Sequence, residues 1–348
     1  MRDRTRERMA RRRRQSGIAL FMVLWVLILL SVMAGEFAVN VRTALRFSRN
    51  AMADLQAAFI ARAGIHTAIA GLMDHYRPES GITPYGFPPG RELRLGKKMA
   101  PISLSGGTVI LEIESEGGKI NINRAGLKGL DLLLRPLELE DAKRQQIIDS
   151  ILDWRDADNL HRMSGAETHY YQSLSDPYPA KNGDFDTPAE LLRVRGMTPE
   201  IYAAIESAVT VYPKSGGPAK AIIGNQTRDF DFEILDINSV GRFLLSAIPE
   251  MTPEDVEQIL AFRRAKEIRT IGDIAPLVSE KAWSFIPSYL GIQRLHIYSI
   301  RATARLTPES PVQRTVETVV GIDPLDRDHY YRFLDWREPP MSAASPPA

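Results

Sequence analysis

An uncharged apolar run near the N-terminus limits what this chain can fold into. The run extends from Ile18 to Gly35, and the 17 residues before it hold eight arginines and only two acidic residues. As an α-helix these 18 residues would be about 27 Å long, close to the thickness of the hydrocarbon core of a bilayer. The arginine-rich side should stay cytoplasmic while the run inserts. The sequence therefore predicts an inner-membrane anchor at 18–38, with the remainder of the chain outside the cytoplasm.

The glycine directly before this run indicates where the chain could be processed. A secretory signal is cut after its apolar core, and Val32–Gly35 matches such a site only weakly. The junction Gly17–Ile18 instead resembles the leader junction of type IV prepilins, in which the apolar segment survives as an anchor and assembly helix. An ordinary signal-anchor helix that happens to follow a glycine is the alternative. Without the leader, 36 basic and 41 acidic residues remain, a net charge of −5.

The segment after the anchor predicts a long stalk helix over 39–77. No proline occurs between Glu36 and Tyr76, and apolar residues recur at helical spacing from Leu55 to Leu72. We expect its first half to lie in the membrane and its second half to pack on a globular head. A juxtamembrane helix with no assembly role is the alternative.

Strand patterns are separated by a long helical stretch. Alternating apolar residues indicate strands at Thr108–Ser115, Leu295–Arg305, Gln313–Ile322 and Tyr330–Trp336. Because one strand cannot satisfy its own edges, the first should pair with the later group. The intervening residues would then be an insertion in a small head. The predicted class is α+β: a long N-terminal transmembrane and stalk helix, a small antiparallel-sheet head, and a large all-α insertion.

The predicted domain boundaries follow from these patterns. They are a leader at 1–17, a transmembrane helix at 18–38, a stalk at 39–77, an α+β head at 78–118 and 291–338, a first α-domain half with an acidic loop at 119–212, a linker at 213–233, a second half at 234–290 and a disordered tail at 339–348.

The insertion is loosely duplicated. Each half has an isoleucine-containing start, a leucine-rich helix, a proline-marked turn and a second helix opened by acidic residues, which are favourable in a first helical turn. This pattern is typical of helix-hairpin-helix or SAM-like bundles. Some such bundles bind DNA through a glycine-containing hairpin, and here only the hairpin at Arg195–Gly196 has that composition. A membrane-anchored DNA-binding protein is therefore the alternative function, and the acidic charge weighs against it.

An acidic loop holds the strongest candidate site. Its hard oxygen donors are Asp153, Asp156, Asp158, Glu167, Asn182, Asp184 and Asp186. Calcium binds roughly six to eight such oxygens in irregular geometry. A solvated loop, with Asp184 or Asp186 capping the next helix, is the alternative. Zinc would need more than the two histidines at 161 and 169.

The sequence carries no enzyme signature. It has no cysteine nucleophile, glycine-rich phosphate loop, nucleophile elbow or pair of histidines on a helix. We therefore expect a protein that is not an enzyme, although a membrane-anchored hydrolase remains a minor alternative.

Taken together, these segments resemble the large minor pseudopilins of type II secretion systems, the protein K family. The resemblance covers nearly the whole chain. It rests on the Gly17–Ile18 junction and on the motifs at Lys119–Arg124, Ile151–Asp158, Gly165–Tyr171, Asn182–Leu192 and Val194–Pro199.

The resemblance implies a function and partners. Prepilin peptidase would cut after Gly17 and N-methylate Ile18. The protein would be anchored in the inner membrane with its globular region in the periplasm, and would join minor pseudopilins I and J at the tip of a pseudopilus. There it would start assembly and limit length during export of folded proteins, with exported proteins as a further class of partner.

Two departures from related proteins matter. Family members bind calcium in the inserted α-domain and can carry a disulfide, but this chain has no cysteine, so calcium would have to order its loop unaided. Most pilins carry glutamate five residues after the cut, where this chain has Met22. A carboxylate in the apolar layer is costly without a partner, so an apolar residue suits a subunit with no neighbour above it.

Overall fold

The computed structural model describes residues 3–76, 95–96, 98–104, 106–214, 220–223, 226–307, 310, 312–323 and 330–338. Side chains are described from residue 19 onward, except at 75–76 and 220–228. The predicted tail at 339–348 lies outside the described residues, as does much of the first head segment.

One uninterrupted helix, α1, extends from Asp3 to Tyr76. At 1.5 Å per residue its 74 residues span roughly 110 Å. Within the described side chains, its most apolar 18-residue window has a mean hydropathy of 2.3, and none of that window is buried. By length and composition, α1 is therefore able to cross a membrane. The predicted boundaries between leader, membrane segment and stalk all fall inside this single helix and stay predictions.

The head is a five-stranded antiparallel sheet packed against the end of α1. The strands are β1 (Ile102–Leu104), β2 (Gly107–Ser115), β10 (Ile297–Arg305), β11 (Gln313–Ile322) and β12 (Tyr331–Arg337). They lie in the order β1-β2-β10-β11-β12. In the register, Ile300 lies between Ile113 and Thr318, so the early strand does pair with the late group.

The head core forms where α1 meets this sheet. Ala61, Ile65 and Leu72 on one face of α1 are buried against Leu111 and Ile300 of the sheet. Alternation along the strands sends these apolar residues to the helix side, as period-2 patterning requires. The expected α+β class, with a long helix and an antiparallel sheet, is confirmed.

The insertion lies between β2 and β10 and is mainly helical. Its helices are α2 (Leu127–Leu134), α3 (Asp141–Arg155), α4 (Thr168–Gln172), α5 (Pro199–Ile205), α6 (Arg242–Ala247), α7 (Pro253–Ala265) and α8 (Glu280–Tyr289). A single apolar core joins them, with Leu130, Ile151, Leu191, Leu245 and Ile286 all buried in it.

Short strands close each half of the insertion. In the first half, β3 (Ile120–Asn121) pairs in parallel with β4 (Val209–Thr210). In the second, β7 (Leu235–Asp236) pairs in parallel with β8 (Leu290–Gly291). The insertion was predicted to be all-α, but it also contains these short strands. The prediction missed them because two-residue strands are too short to give an alternating sequence pattern.

The stretch interpreted as a linker also contains strands. Here β5 (Lys220–Ile223) and β6 (Gln226–Asp229) form an antiparallel pair. A third strand, β9 (Arg294–Leu295), extends this sheet on the other side of β5. Its involvement of Leu295 also explains why β10 begins at Ile297, two residues later than the strand predicted for that region.

The expected duplication extends to individual hydrogen bonds. Arg155 at the end of α3 donates to the backbone oxygens of Ile122 and Ala125, at 2.6 and 2.7 Å. Arg263 in α7 donates in the same way to Ile237 and Val240, at 3.0 and 2.7 Å. In both halves, a guanidinium therefore ties the second helix to the segment that opens the half.

A second hydrogen-bonded link also occurs in both halves, and an asparagine makes it in each. Asn123 donates to and accepts from the backbone of Phe185, at 3.0 and 2.7 Å. Asn238 does the same with Ile268, at 2.9 and 3.0 Å. In the first half 29 residues separate Arg155 from Phe185, whereas in the second half only four separate Arg263 from Ile268. The acidic loop is therefore an extension that the second half lacks.

Candidate metal centre

The acidic loop leaves α3 at Arg155 and returns at Phe185. Within it, three carboxylates converge: one oxygen each of Asp156, Asp158 and Glu167 lies within 4.8 Å of the others. Glu167 is only 5 % exposed, while Asp156 is half-buried and Asp158 is exposed. The loop therefore gathers three carboxyl groups that range from buried to exposed.

Several oxygens here lack donors. Among the described residues, Asp156 Oδ1, both carboxylate oxygens of Glu167 and Asn182 Oδ1 are buried without a hydrogen-bond partner. The Asn182 amide nitrogen donates to the backbone oxygen of Asp158 at 2.9 Å, which fixes this side chain to the same loop. A buried acceptor left without a partner costs on the order of 1–3 kcal/mol. The donor set is all oxygen, so it fits a hard cation such as calcium.

The electrostatics of Glu167 agree with this fit. Burial, together with the charges of Asp153, Asp156 and Asp158, raises the pKa of Glu167 to about 7. The ionised carboxylate is therefore disfavoured where it stands, since its neighbours repel it and water does not solvate it. A divalent cation would remove both penalties at once.

Asp153, also predicted as a ligand, lies outside the three-carboxylate cluster. Its side chain is fully buried, and Arg162 binds it through Nη1 at 2.5 Å and through the backbone nitrogen at 3.0 Å. The same Arg162 nitrogen lies 2.7 Å from Asp156 Oδ2. Burial raises the pKa of Asp153, and the bonds from Arg162 partly oppose that rise. Asp153 thus holds the base of the loop through Arg162, which sequence reasoning missed because an arginine among acids resembles a solvated ion pair.

Gly165 allows the loop to close over Asp153. A Cβ atom at this position would lie 1.9 Å from Asp153 Oδ2, and the Gly165 oxygen accepts from Arg195 at 2.9 Å. A side chain here would displace the carboxylate. This close approach explains the glycine in the Gly165–Tyr171 motif.

Asp184 and Asp186 lie outside the three-carboxylate cluster. Asp186 is exposed and binds Lys181 and Lys214 at 2.7 and 2.9 Å. These lysines lower the pKa of Asp186 to about 2. Of the seven predicted donors, the structure thus brings together Asp156, Asp158 and Glu167, with Asn182 attached to the same loop.

An aromatic cluster packs the loop against the end of α3. The Tyr171 ring lies edge-on to Trp154 at 5.1 Å and stacks on Tyr178 at 5.4 Å. Phe185 stacks on Trp154 at 6.3 Å, and the Tyr171 hydroxyl accepts from the Arg195 backbone at 3.2 Å. Aromatic packing therefore also holds this loop together, and the expectation that calcium orders the loop stays a prediction. The density of aromatic residues in the loop was the sequence signal for this cluster.

The two histidines do not support the zinc alternative. The three-carboxylate cluster contains neither of them, and His161 is exposed with its Nδ1 2.9 Å from a backbone oxygen. Among the described residues, the gathered ligands are carboxylates alone.

The hairpins differ from a phosphate-binding pattern. Two of them turn through a left-handed glutamate, Glu138 with φ 51° and Glu250 with φ 61°, while the third uses Gly196 with φ 90°. Acidic side chains at these turns repel phosphate. The nucleic-acid alternative therefore gains no support from this geometry.

The predicted leader junction lies in α1. The backbone at Gly17 and Ile18 is helical, and their side chains lie outside the described residues. Met22, the position assigned to the tip, is 60 % exposed on α1.

Comparisons with known proteins agree on one family. Residues 110–214 match the family model for "Type II secretion system (T2SS), protein K". The chain is 28 % identical over 214 residues to type II secretion system protein K of Aeromonas hydrophila, a match that covers 58 % of this chain and 65 % of that protein. It is 26 % identical over 269 residues to protein K of Pseudomonas aeruginosa, covering 72 % and 73 % of the two chains.

A solved structure shares the fold. A chain in the crystal structure of the GspK-GspI-GspJ complex from the enterotoxigenic Escherichia coli type 2 secretion system superimposes with a TM-score of 0.52 at 15 % identity. The match covers 86 % of this chain and 99 % of that one. The chain is therefore similar in sequence to protein K of type II secretion systems, whose family model matches residues 110–214, and it shares its fold with the solved chain.

Proposed function

We propose that this protein is a minor pseudopilin at the tip of a type II secretion pseudopilus, where it starts assembly and limits length. The proposal rests on one observation. The apolar segment of α1 is not covered by the protein's own head, and the head carries a large insertion with a hydrophobic core of its own. In a fibre body, so large an insertion would meet neighbouring subunits at every repeat. At the end of the fibre no subunit lies above it.

The helix α1 supports the proposed processing and location. Prepilin peptidase would cut between Gly17 and Ile18 and methylate Ile18, leaving the apolar segment as the assembly helix. The arginine-rich leader would face the cytoplasm and the head the periplasm, with α1 spanning the inner membrane once.

The proposed partners are minor pseudopilins I and J of the same system. The solved structure with the same fold comes from a complex of proteins named GspK, GspI and GspJ. Exported proteins are a further class of partner. Because no catalytic constellation was predicted from the sequence, we assign the protein a structural role, not an enzymatic one.

Calcium is the proposed structural ion. Asp156, Asp158 and Glu167 would hold it, because their carboxylates converge. Asn182 would add an amide oxygen, and Asp156, Glu167 and Asn182 carry buried oxygens without a partner. Its positive charge would stabilise the loop against the repulsion among the three carboxylates.

Deletion and complementation test the function. In a strain that lacks the gene and overproduces the major pseudopilin, full-length protein should restore secretion, shorten surface pseudopili and co-purify with pseudopilins I and J. Restored secretion is measured as exported protein in the medium, and fibre length by electron microscopy. Unchanged fibre length and no co-purification, with the protein present in the membrane, would refute the proposal.

A further inference from the structure

The sheet face opposite α1 carries a trough bordered by charged side chains. Ala302 and Ala304 of β10 are buried against α1, so the residues that alternate with them point to the other face. Three rows of residues cross β2, β10 and β11 on that face: Glu112, Arg301 and Glu317; Ile110, Thr303 and Thr315; and Thr108, Arg305 and Gln313. The polar trough has the short middle row as its floor and the outer rows as its walls, with a volume of ≈ 290 Å³.

The insertion packs on the same face, next to the polar trough. Val319, two residues past Glu317 on β11, packs against the core of the insertion, as does Leu334 of β12. The rows of the polar trough lie farther from the insertion along the same strands and line an open cavity. The polar trough is therefore a recess on the outside of the head, bordered on one side by the insertion.

One cation of the polar trough is not neutralised. Arg301 lies 2.7 Å from Glu317 and 3.6 Å from Glu112. Arg305 instead donates from Nε and Nη2 to the Gln313 amide oxygen, at 3.1 and 2.5 Å. Among the residues that the structure describes, no acidic side chain lies within ion-pair distance of Arg305. An exposed guanidinium thus keeps its charge and spare N–H donors, on a chain whose predicted mature form is acidic.

The floor of the polar trough offers a further donor. The Thr303 and Thr315 hydroxyl oxygens lie 3.0 Å apart, and one hydroxyl donates to the other. This pair uses one of its two hydroxyl hydrogens, so the second is free to bond a ligand. A peptide that crosses the trough would place a carboxylate on Arg305, in a charge-assisted hydrogen bond, and a backbone oxygen over the threonines.

Shape and charge exclude two simple occupants. Arg301 and Arg305 both lie on the central strand β10, so two copies paired face to face about a two-fold axis would place arginine over arginine. The outer rows stand roughly 14 Å apart, and their side chains narrow the gap below the roughly 10–12 Å diameter of an α-helix. An extended segment that carries acidic residues fits both the width and the charge.

We propose that the polar trough binds an extended acidic segment of an exported protein, with an Asp or Glu carboxylate on Arg305. This inference rests on the proposed function, in which α1 faces the other subunits of the fibre. The polar trough lies on the opposite face of the sheet, so it points away from those subunits and toward proteins outside the fibre. Another pseudopilin subunit is the competing occupant.

Photo-crosslinking in cells with the complete secretion system tests the occupant. The full chain carries p-benzoylphenylalanine at Thr108 or Gln313, which flank Arg305, and control proteins carry it at Gln258 or Lys281, which are exposed on the insertion. We expect products at the trough positions that contain a protein also found in the growth medium, joined through a peptide with Asp or Glu. Equal product at the control positions, or product only with a pseudopilin, a second copy or lipid, would overturn the inference.

Charge variants complete the test. Arg305→Glu should reduce the crosslinks about ten-fold, because an attractive contact becomes repulsive, whereas Arg305→Lys should keep most of them. Arg264→Glu, at an exposed arginine of α7 outside the polar trough, is the matched control and should have no effect. Glu112 lies 3.5 Å from Lys98 and 3.6 Å from Arg301. Glu112→Gln frees both cations and should raise the crosslinks about three-fold, a gain that damage to the fold would not produce.

The results separate this inference from the proposed function. The polar trough alone would be overturned if no exported protein is crosslinked there, or if either Arg305→Glu or Glu112→Gln leaves the crosslinks unchanged, while the parent restores secretion and co-purifies with pseudopilins I and J. Failure of the unmodified protein to restore secretion and to co-purify would overturn both. Membrane levels of each variant are checked by immunoblot.

Discussion

Asn121 and Asp236 occupy equivalent positions in the two halves of the insertion, and each accepts a hydrogen bond from the backbone nitrogen two residues later, at 2.9 and 3.3 Å. One side chain is neutral and the other is a carboxyl group that is 4 % exposed. Burial raises the pKa of Asp236 from 3.8 to about 6, and the bond from Ser239 only partly opposes this rise. The second half therefore carries a charge that the first half avoids.

We predict that Asp236→Asn stabilises the protein at neutral pH. Because the folded-state pKa lies above the unfolded value, the contribution of the carboxyl group to stability is largest below about pH 4 and is lost as pH rises through about 6. At pH 7.5 the variant should gain on the order of 2 kcal/mol. Urea denaturation of the full chain in detergent at pH 7.5 and at pH 4 measures this gain, which should shrink at the lower pH.

The converse variant is the control for that experiment. Asn121→Asp should destabilise the first half at pH 7.5, because it removes the 3.0 Å bond to the Pro213 oxygen and buries a charge. If Asp236→Asn is no more stable than the parent at pH 7.5, burial of the ionised Asp236 carboxylate does not destabilise the fold.

Gly118 should tolerate no side chain. A Cβ atom there would lie 2.4 Å from the backbone carbon and oxygen of Ser239, and backbone atoms cannot move aside as a flexible side chain can. We expect Gly118→Ala to cost about 1–3 kcal/mol of folding stability through overpacking between the two halves. Gly241→Ala is the matched variant, since its Cβ would meet nothing within 4 Å. If the two substitutions lower the melting temperature equally, the close approach of Gly118 to the Ser239 backbone is contradicted.

Glu167→Gln should have opposite effects with and without calcium. In chelator at pH 8 the variant should melt higher than the parent, because it removes a charge that burial and three aspartates disfavour. In millimolar calcium it should melt lower, having lost about 1–3 kcal/mol of stabilisation by the ion. Differential scanning calorimetry of the full chain in detergent measures both.

Asp186→Asn provides the comparison for the calcium experiment. Because Asp186 binds two lysines and lies outside the cluster, its variant should keep the full calcium-dependent shift in melting temperature. An identical shift in the Glu167 variant and the parent would mean that these carboxylates do not bind the ion.

Met22→Glu tests the assigned position in the fibre. An unpaired carboxylate in the apolar layer costs about 2–3 kcal/mol, and a subunit at the distal end has no neighbour above to neutralise it. We expect reduced secretion and weaker recovery of pseudopilins I and J, with Met22→Leu as the neutral control. Secretion and recovery at parental levels would argue against the tip assignment.

The sequence predicted those elements whose pattern is long enough to be periodic. The strand expected at Gln313–Ile322 forms with those bounds, and the early strand pairs with β10 as required by its open edges. The two-residue strands and the β5-β6 pair were missed, because their side chains do not repeat often enough to indicate a strand. Their backbones are instead fixed by contacts distant in sequence, such as β3 with β4.

The candidate site was predicted in composition but not in arrangement. Acidic residues marked the loop, yet nothing in their order indicated that Arg162 would bind Asp153, or that Lys181 and Lys214 would bind Asp186. These choices depend on where α3 ends and on how the aromatic cluster folds the loop back. Both are tertiary effects that local sequence does not encode.

The proposed function requires that the N-terminal helix is retained after processing and becomes the part by which the protein joins a fibre. Intact-mass and N-terminal peptide mass spectrometry of protein purified from membranes can decide this. We expect a mature chain that begins with N-methylated Ile18. A chain that still carries its arginine-rich leader, or one that begins after the apolar run at residue 35 or 36, would contradict it.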